Sequence, residues 1–260
     1  MQRHWKTFLR YRDIVWYRTL AGLKSEARQN FLGYIWLLLE PAITTAIVYV
    51  VYVLILRNGG PDKVAMLLLG SLTWSWFEGT IMVGMNGIKS KMHILMHFTL
   101  PKFIFPLVGV FTNTWKFLCV FTVLLILCGL CGYPPNPSFI YLPLVMGAQL
   151  ILIIGLTLPL AILVTYANDL VTVISSIFRL LMFMSGTFFF ASMVPESAKI
   201  YFYANPMAGL IESYRDIVMF NKPPLFNALL YATAFGIVFA GIGILWSNHI
   251  DGKILKRVSG

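Results

Sequence analysis

Residues 28–41 read Arg-Gln-Asn-Phe-Leu-Gly-Tyr-Ile-Trp-Leu-Leu-Leu-Glu-Pro, and the change from charge to continuous apolar sequence inside that stretch decides the fold. Seven of the 20 Lys and Arg residues fall within the first 31 positions. Downstream, apolar runs of roughly 20 residues recur, each long enough as a helix to cross a hydrocarbon core about 30 Å thick. Of the 260 residues, 58% are hydrophobic and 12% charged. A soluble domain carries about 25% charged residues, so a soluble globular class is excluded. The net charge of +10 does not imply nucleic acid. The basic residues sit beside apolar spans, where they mark the cytoplasmic side of a membrane.

These features predict an all-α integral membrane protein in two parts. Residues 1–31 form a cytoplasmic amphipathic helix lying on the membrane, and 32–260 form a domain of six transmembrane helices. At 100° per residue, Trp5, Phe8, Leu9, Trp16, Leu20 and Leu23 share one face and Arg3, Lys6, Arg10, Lys24 and Arg28 the other, with Arg12 interrupting the apolar stripe. A basic face opposite a Trp/Leu face is the interfacial-helix pattern. The mixed segment ahead of the first span lacks the short apolar core and cleavage site of a signal peptide, so it is expected to be retained.

Spans are expected at about 32–56, 64–88, 103–131, 139–166, 171–191 and 225–247. Pro143 and Pro159 are expected to bend the fourth. A polar loop at 89–102 separates spans two and three. Residues 192–224 mix aromatics, Pro195, Pro206 and charges, and fit no uninterrupted span. Two short re-entrant helices broken at Asn205-Pro206 fit better. They are compatible with membrane depth only when buried in protein or lining a cavity. With six spans, thirteen Lys and Arg lie on one side against five on the other, which places both termini in the cytoplasm.

The candidate sites are few. Gly79 and Gly84 have Walker A spacing, but Met85-Asn86 stand where Lys-Ser/Thr is needed, so no nucleotide loop is present. His93 and His97 are spaced i, i+4, but zinc needs three or four ligands and no Cys or acid lies nearby. No metal site is therefore assigned, and the pair is read as part of a contact surface. Cys128-Gly-Leu-Cys131 is a CxxC without a thioredoxin-like context, open to a disulfide or to plain packing. Glu40, Glu78, Lys116 and Arg179 are ionisable groups inside spans. Such groups are costly in lipid and must face protein or water. They either line a hydrated path or lock helices together. Trp74, Trp76, Phe77, Phe188, Tyr201, Phe202 and Tyr203 either form an interfacial belt or stack on sugar rings in a channel. No catalytic triad, loop carboxylate pair or dense ligand group suggests an enzyme.

Arg28, Leu32, Gly33, Trp36, Leu39 and Pro41 form the pattern Arg-x-x-x-Leu-Gly-x-x-Trp-x-x-Leu-x-Pro. Asn205-Pro206-Met207 followed by Gly209-Leu210-Ile211-Glu212 and Arg215 forms a second, and Leu100-Pro101-Lys102 before Phe105-Pro106-Leu107 a third. Together these resemble the membrane subunits of type-2 ABC exporters for bacterial polysaccharides: capsule, O-antigen and teichoic acid permeases. Glu40 before Pro41 is most similar to the capsule branch.

The resemblance implies a multi-pass protein of the bacterial inner membrane that works as a homodimer with two copies of a separate ABC ATPase. ATP and magnesium would then bind the partner, and this chain would hold no cofactor. Lys89, Lys91, His93, His97 and Arg28 would meet that ATPase. Glu40, the aromatics named above, Asn205 and Pro206 would line or gate the path of a lipid-linked glycan. Periplasmic or outer-membrane export proteins would be further partners. The alternatives that remain are a type-2 exporter of drugs or lipids, a membrane-embedded glycan- or lipid-modifying enzyme, and a scaffold.

Overall fold

The computed structural model describes residues 2–29, 61–91, 101–130, 132–167 and 169–250, with isolated positions at 39, 43, 46, 47 and 50. Most of the first expected span, with Glu40, and the loop positions His93 and His97 lie outside the described residues. The elements are α1 (Gln2–Gln29), α2 (Pro61–Met85), α3 (Gly87–Ser90), α4 (Ile104–Leu130), α5 (Leu142–Tyr166), α6 (Leu170–Met184), α7 (Glu196–Ala204), α8 (Pro206–Phe220) and α9 (Phe226–Ile250), with short 3-10 turns at Pro137–Tyr141 and Ala191–Met193. No strand occurs among the described residues.

Among the described residues, three helical segments are long and apolar enough to cross a membrane: Ile104–Gly129, Pro137–Tyr166 and Phe226–Ser247. The α2 helix has 25 residues but carries Ser71, Thr73, Glu78 and Thr80. It tolerates them because protein surrounds it. Thr73 is fully buried and its hydroxyl donates to the Leu69 carbonyl at 2.7 Å. Buried residues of α2, α4, α5, α8 and α9 form one continuous core, with Trp74, Leu152 and Tyr214 among its most enclosed side chains. Among the described residues the most extensive helix contact is that of α5 with α9. A methyl group added at Gly155 would run into the Gly236 carbonyl, so the contact requires both backbones to be bare. Small residues permitting close backbone approach are a common basis of helix association in membranes.

Several boundaries depart from expectation. The fifth span was expected at 171–191, but α6 has only 15 residues, about 22 Å, and ends at Met184. Its last turn is closed by Ser185, whose hydroxyl donates to the Leu181 carbonyl, and Gly186 then takes φ +73°. Residues 185–190 therefore belong to the irregular segment that follows. Pro143 does not bend α5. It sits in the first turn, where its missing N–H has no helical partner to lose, whereas Pro159 lies inside the helix. The second span ends in an elbow at Asn86, whose amide donates back to the Met82 carbonyl at 2.8 Å before α3 begins.

The α1 helix packs along α4. Tyr11 meets Phe103 edge-on at 6.2 Å and Trp16 meets Trp115 at 6.0 Å. Among its described side chains, Thr19 is fully buried, while Trp16 and Leu20 remain exposed. The predicted Trp/Leu stripe is thus split, with part of it turned away from the bundle.

Candidate gate site

The chain between α6 and α9 builds the densest polar arrangement among the described residues. Asn205 ends α7 and caps α8. Its side-chain oxygen accepts from the Met207 N–H at 3.0 Å, and its amide donates to the Ser185 hydroxyl at 2.6 Å. Pro206 occupies the first turn of α8, where it needs no donor. The Asn-Pro pair thus starts one helix and ties it to the end of another. At the far end, Asn221 adopts a left-handed conformation (φ 51°) and the Lys222 N–H returns to the Asp216 carbonyl at 2.8 Å.

Arg215 holds this segment against the bundle. It is 3% exposed. Its guanidinium donates to the Phe189 carbonyl at 2.9 Å, the Thr187 carbonyl at 2.9 Å and the Met66 carbonyl at 3.1 Å. It also lies 5.5 Å from the Phe190 ring centre. Phe189 and Thr187 belong to the irregular stretch after α6, and Met66 to α2. One planar donor fork, which lysine cannot reproduce, therefore joins three elements. Gly70 makes room for it: an added methyl would sit 2.5 Å from the Thr187 oxygen and 2.7 Å from Nη2 of Arg215. Burial lowers the Arg215 pKa to about 10, an effect opposed by Glu212. The group stays cationic at neutral pH.

Beside Arg215 opens a cleft of about 300 Å³ lined by Phe190, Ser192, Glu212, Asp216, Phe220 and Lys222. The Tyr203 hydroxyl donates to Glu212 at 2.6 Å. Burial, then Glu212, pushes the Tyr203 pKa above its ordinary value, so the phenol stays protonated. Burial also raises the Asp216 carboxyl, helped by Glu212 and opposed by Lys222. Phe190 and Phe220 approach at 6.1 Å, and Lys222 lies 5.7 Å from the Phe220 ring centre. Carboxylates that accept hydroxyl hydrogen bonds, beside the exposed Phe220 and the half-buried Phe190, form a surface suited to a polyhydroxylated ligand.

The same end of the molecule is cross-tied. Asn136 donates to the Ile217 carbonyl at 3.0 Å, Ser138 donates to Asn221 at 2.9 Å, and the Tyr133 hydroxyl donates to Asp62. The Pro-rich turn after α4 is therefore a strut under α8.

The structure separates the aromatics that the sequence grouped. Tyr201 is exposed, Tyr203 borders Glu212, and Phe188 is half-buried against Phe183 at 5.4 Å. Phe202 is buried against Phe189 at 6.0 Å. Trp74, Trp76 and Phe77 line no surface in this conformation. Trp74 donates its indole N–H to Glu78 at 2.8 Å, Trp76 stacks on Phe117 at 4.0 Å, and Phe77 meets Phe178 at 5.6 Å. Glu78 is half-buried through that bond, Lys116 is half-buried and Arg179 is exposed. Lys89 and Lys91 are exposed at the elbow after α2. Arg28 lies in the last turn of α1. Cys128 is buried and Cys131 lies outside the described residues. Among the described residues no cluster of His, Cys, Asp or Glu could hold a metal ion.

Arg215 and Gly70 carry the site, and sequence reasoning did not single them out as site residues. Arg215 is one basic residue in a segment placed outside the spans, and Gly70 is an unremarked glycine in an apolar run. Only the fold brings them together, 145 positions apart in the chain.

Residues 15–219 match the ABC-2 type transporter family. Among curated proteins, the chain is similar to O-antigen export system permease proteins named RfbA. One from Klebsiella pneumoniae is 25% identical over 240 residues, covering 92% of each chain. One from Myxococcus xanthus is 26% identical over 239 residues, covering 91% of this chain and 90% of the relative.

Proposed function

The chain belongs to the ABC-2 type transporter family, and on that premise we propose that it is the permease subunit of an ATP-driven exporter of a lipid-linked cell-surface polysaccharide. The observation that carries this reading is similarity along nine-tenths of the chain to permeases named for O-antigen export. The apolar helices make it a multi-pass membrane protein, and its family makes it a transport subunit rather than an enzyme. Its place is the inner membrane, with both termini cytoplasmic. Six spans arise when the stretch before α2, α2 itself and α6 are added to the three long apolar helices. Residues 1–31 remain the interfacial helix and 192–224 the outer gate.

In this mechanism a separate ATPase, two copies per permease homodimer, binds ATP and magnesium. Its motion is delivered at Arg28, Lys89, Lys91, His93 and His97. The spans rock, and the segment pinned by Arg215 moves as one body because its carbonyls share a single donor. The polymer is handled at the gate cleft by Glu212, Asp216, Tyr201, Tyr203 and the flanking rings, with Glu40 on the path nearer the cytoplasm. Glu40-Pro41 favours a capsular glycan, and periplasmic or outer-membrane proteins would take over the polymer. The α6 helix buries only Phe178 and leaves Val173, Ile177, Leu180 and Phe183 exposed, a face for lipid or a second protomer.

Deleting the chain is expected to remove surface glycan and leave lipid-linked glycan inside the cell, and restoring it in trans should reverse both. Intact surface glycan with lost drug or lipid efflux would overturn the reading. Co-purification of the chain with a cognate ATPase as a two-plus-two complex tests the assembly separately.

A further inference from the structure

A second, larger cavity lies at the opposite end of the bundle from the gate. It has a volume of about 470 Å³ and opens between α1, the elbow of α2 and α3, and the first half of α4. Its walls combine Ile14, Val83, Phe105 and Val108 with two cations, Arg18 and Lys91. Among the described residues no carboxylate lines it. Arg18 and Lys91 are exposed, and their side chains have no ion-pair or hydrogen-bond partner among the described residues. Arg12, one turn and a half earlier on α1, differs: it is already bound to Asp13 at 2.8 Å.

Three observations say what fills such a space. The cavity begins at Ile104, the first residue of a helix long and apolar enough to span a membrane, so it lies at headgroup depth. The walls are amphipathic in the sense of a lipid: unpaired cations for an anionic headgroup and aliphatic side chains for the start of an acyl chain. The volume falls within the roughly 300–1,000 Å³ of ordinary ligand sites.

We propose that the groove between α1 and α4 is a specific site for one anionic phospholipid, whose phosphate is held by Arg18 and Lys91 and whose acyl chain runs along Val83 and Val108. The lipid completes the packing of α1 against α4, a contact that among the described residues includes two aromatic edges and the approach of Gly22 to Thr112. It thereby sets the position of the interfacial helix. This site stands apart from glycan handling, rests on the chain being a membrane protein, and borders through Lys91 the surface proposed above to meet the ATPase.

The test uses the full chain in detergent, exposed to mixed vesicles of phosphatidylglycerol and phosphatidylcholine and then read by native mass spectrometry. One phosphatidylglycerol per chain should resist delipidation, in preference to phosphatidylcholine. Arg18→Gln should lower that retention about fivefold, the factor for one basic residue at an anionic surface. Ser90→Asp, an exposed change that adds a carboxylate to the cavity, and Val108→Phe, which fills its apolar end, should lower it too. Arg12→Gln should leave it unchanged. Equal retention of the two lipids, or equal retention by Arg18→Gln, Ser90→Asp and the parent chain, overturns the proposal. Release of the lipid by millimolar inorganic phosphate overturns it as well, by assigning the cations to a free anion.

Discussion

The two ends of the bundle are built on different principles. The Arg215 end is held by directional bonds that are buried or half-buried: Arg215 to three carbonyls, Asn205 to both α8 and Ser185, and Asn136 and Ser138 to the end of α8. Among the described residues, the α1 end is held by ring edges at 6.0 and 6.2 Å and leaves a cavity with two unpaired cations, Arg18 and Lys91. Buried polar bonds fix one geometry, because breaking any of them strands a group away from water. Ring edges and solvated charges tolerate sliding. The contrast suits a transporter in which one end must keep a shaped surface and the other must accept movement from a partner.

The sharpest way to break this comparison is Arg215→Ala. It leaves the Thr187 and Phe189 carbonyls without a donor, while Met66 keeps its helical one, and should cost about 2–6 kcal/mol, roughly 1–3 for each stranded acceptor. Thermal unfolding in detergent would read it, and a loss below about 1 kcal/mol would mean the fork is not the anchor. Arg215→Lys should recover only part, since a point charge cannot serve three carbonyls in one plane.

Asn205→Ala should cost about 1 kcal/mol as a lost helix cap. Asn205→Asp separates its two roles: the acceptor for Met207 is kept and the donor to Ser185 is lost. Full recovery by Asp would show that the tie to Ser185 contributes nothing.

On the other side, Trp16→Ala should cost at most about 0.5–1.5 kcal/mol, the worth of an aromatic pair. An effect as large as that of Arg215→Ala would erase the distinction between the two ends.

The smallest effect concerns pH. The Asp216 pKa is raised above 3.8, first by burial and then by Glu212. A raised folded-state pKa favours the protonated folded form, so this contribution to stability is present at acid pH. It is lost as pH rises from about 3.8 through the folded value. Asp216→Asn should flatten that part of the stability profile. An unchanged slope would show that Asp216 is solvated like an ordinary surface carboxylate.

The sequence and the structure differ most where neighbours decide. Hydrophobic length alone located α4, α5 and α9, because a membrane demands long apolar helices of whatever packs beside them. It overextended the fifth span through 185–191, since Ser185, Gly186 and Thr187 are small enough to read as membrane. Their break from helix depends on the hydroxyl bond to Leu181 and on Arg215 claiming the Thr187 carbonyl. It also placed Trp74, Trp76 and Phe77 beside a path. Aromatic abundance is the same for a belt, a channel and a core, and only the partners Glu78, Phe117 and Phe178 distinguish them.

What the chain of residues determined by itself is therefore the membrane as solvent, a basic N-terminal helix, the long helices and the Asn205-Pro206 break, all set by local composition and backbone chemistry. The meeting of Arg215 with Met66, Thr187 and Phe189, the bare Gly70 that admits it, and the cavity beneath α1 were decided by the tertiary structure. Each joins residues far apart in sequence, and hydrogen-bond satisfaction and volume exclusion act on distances in space rather than along the chain.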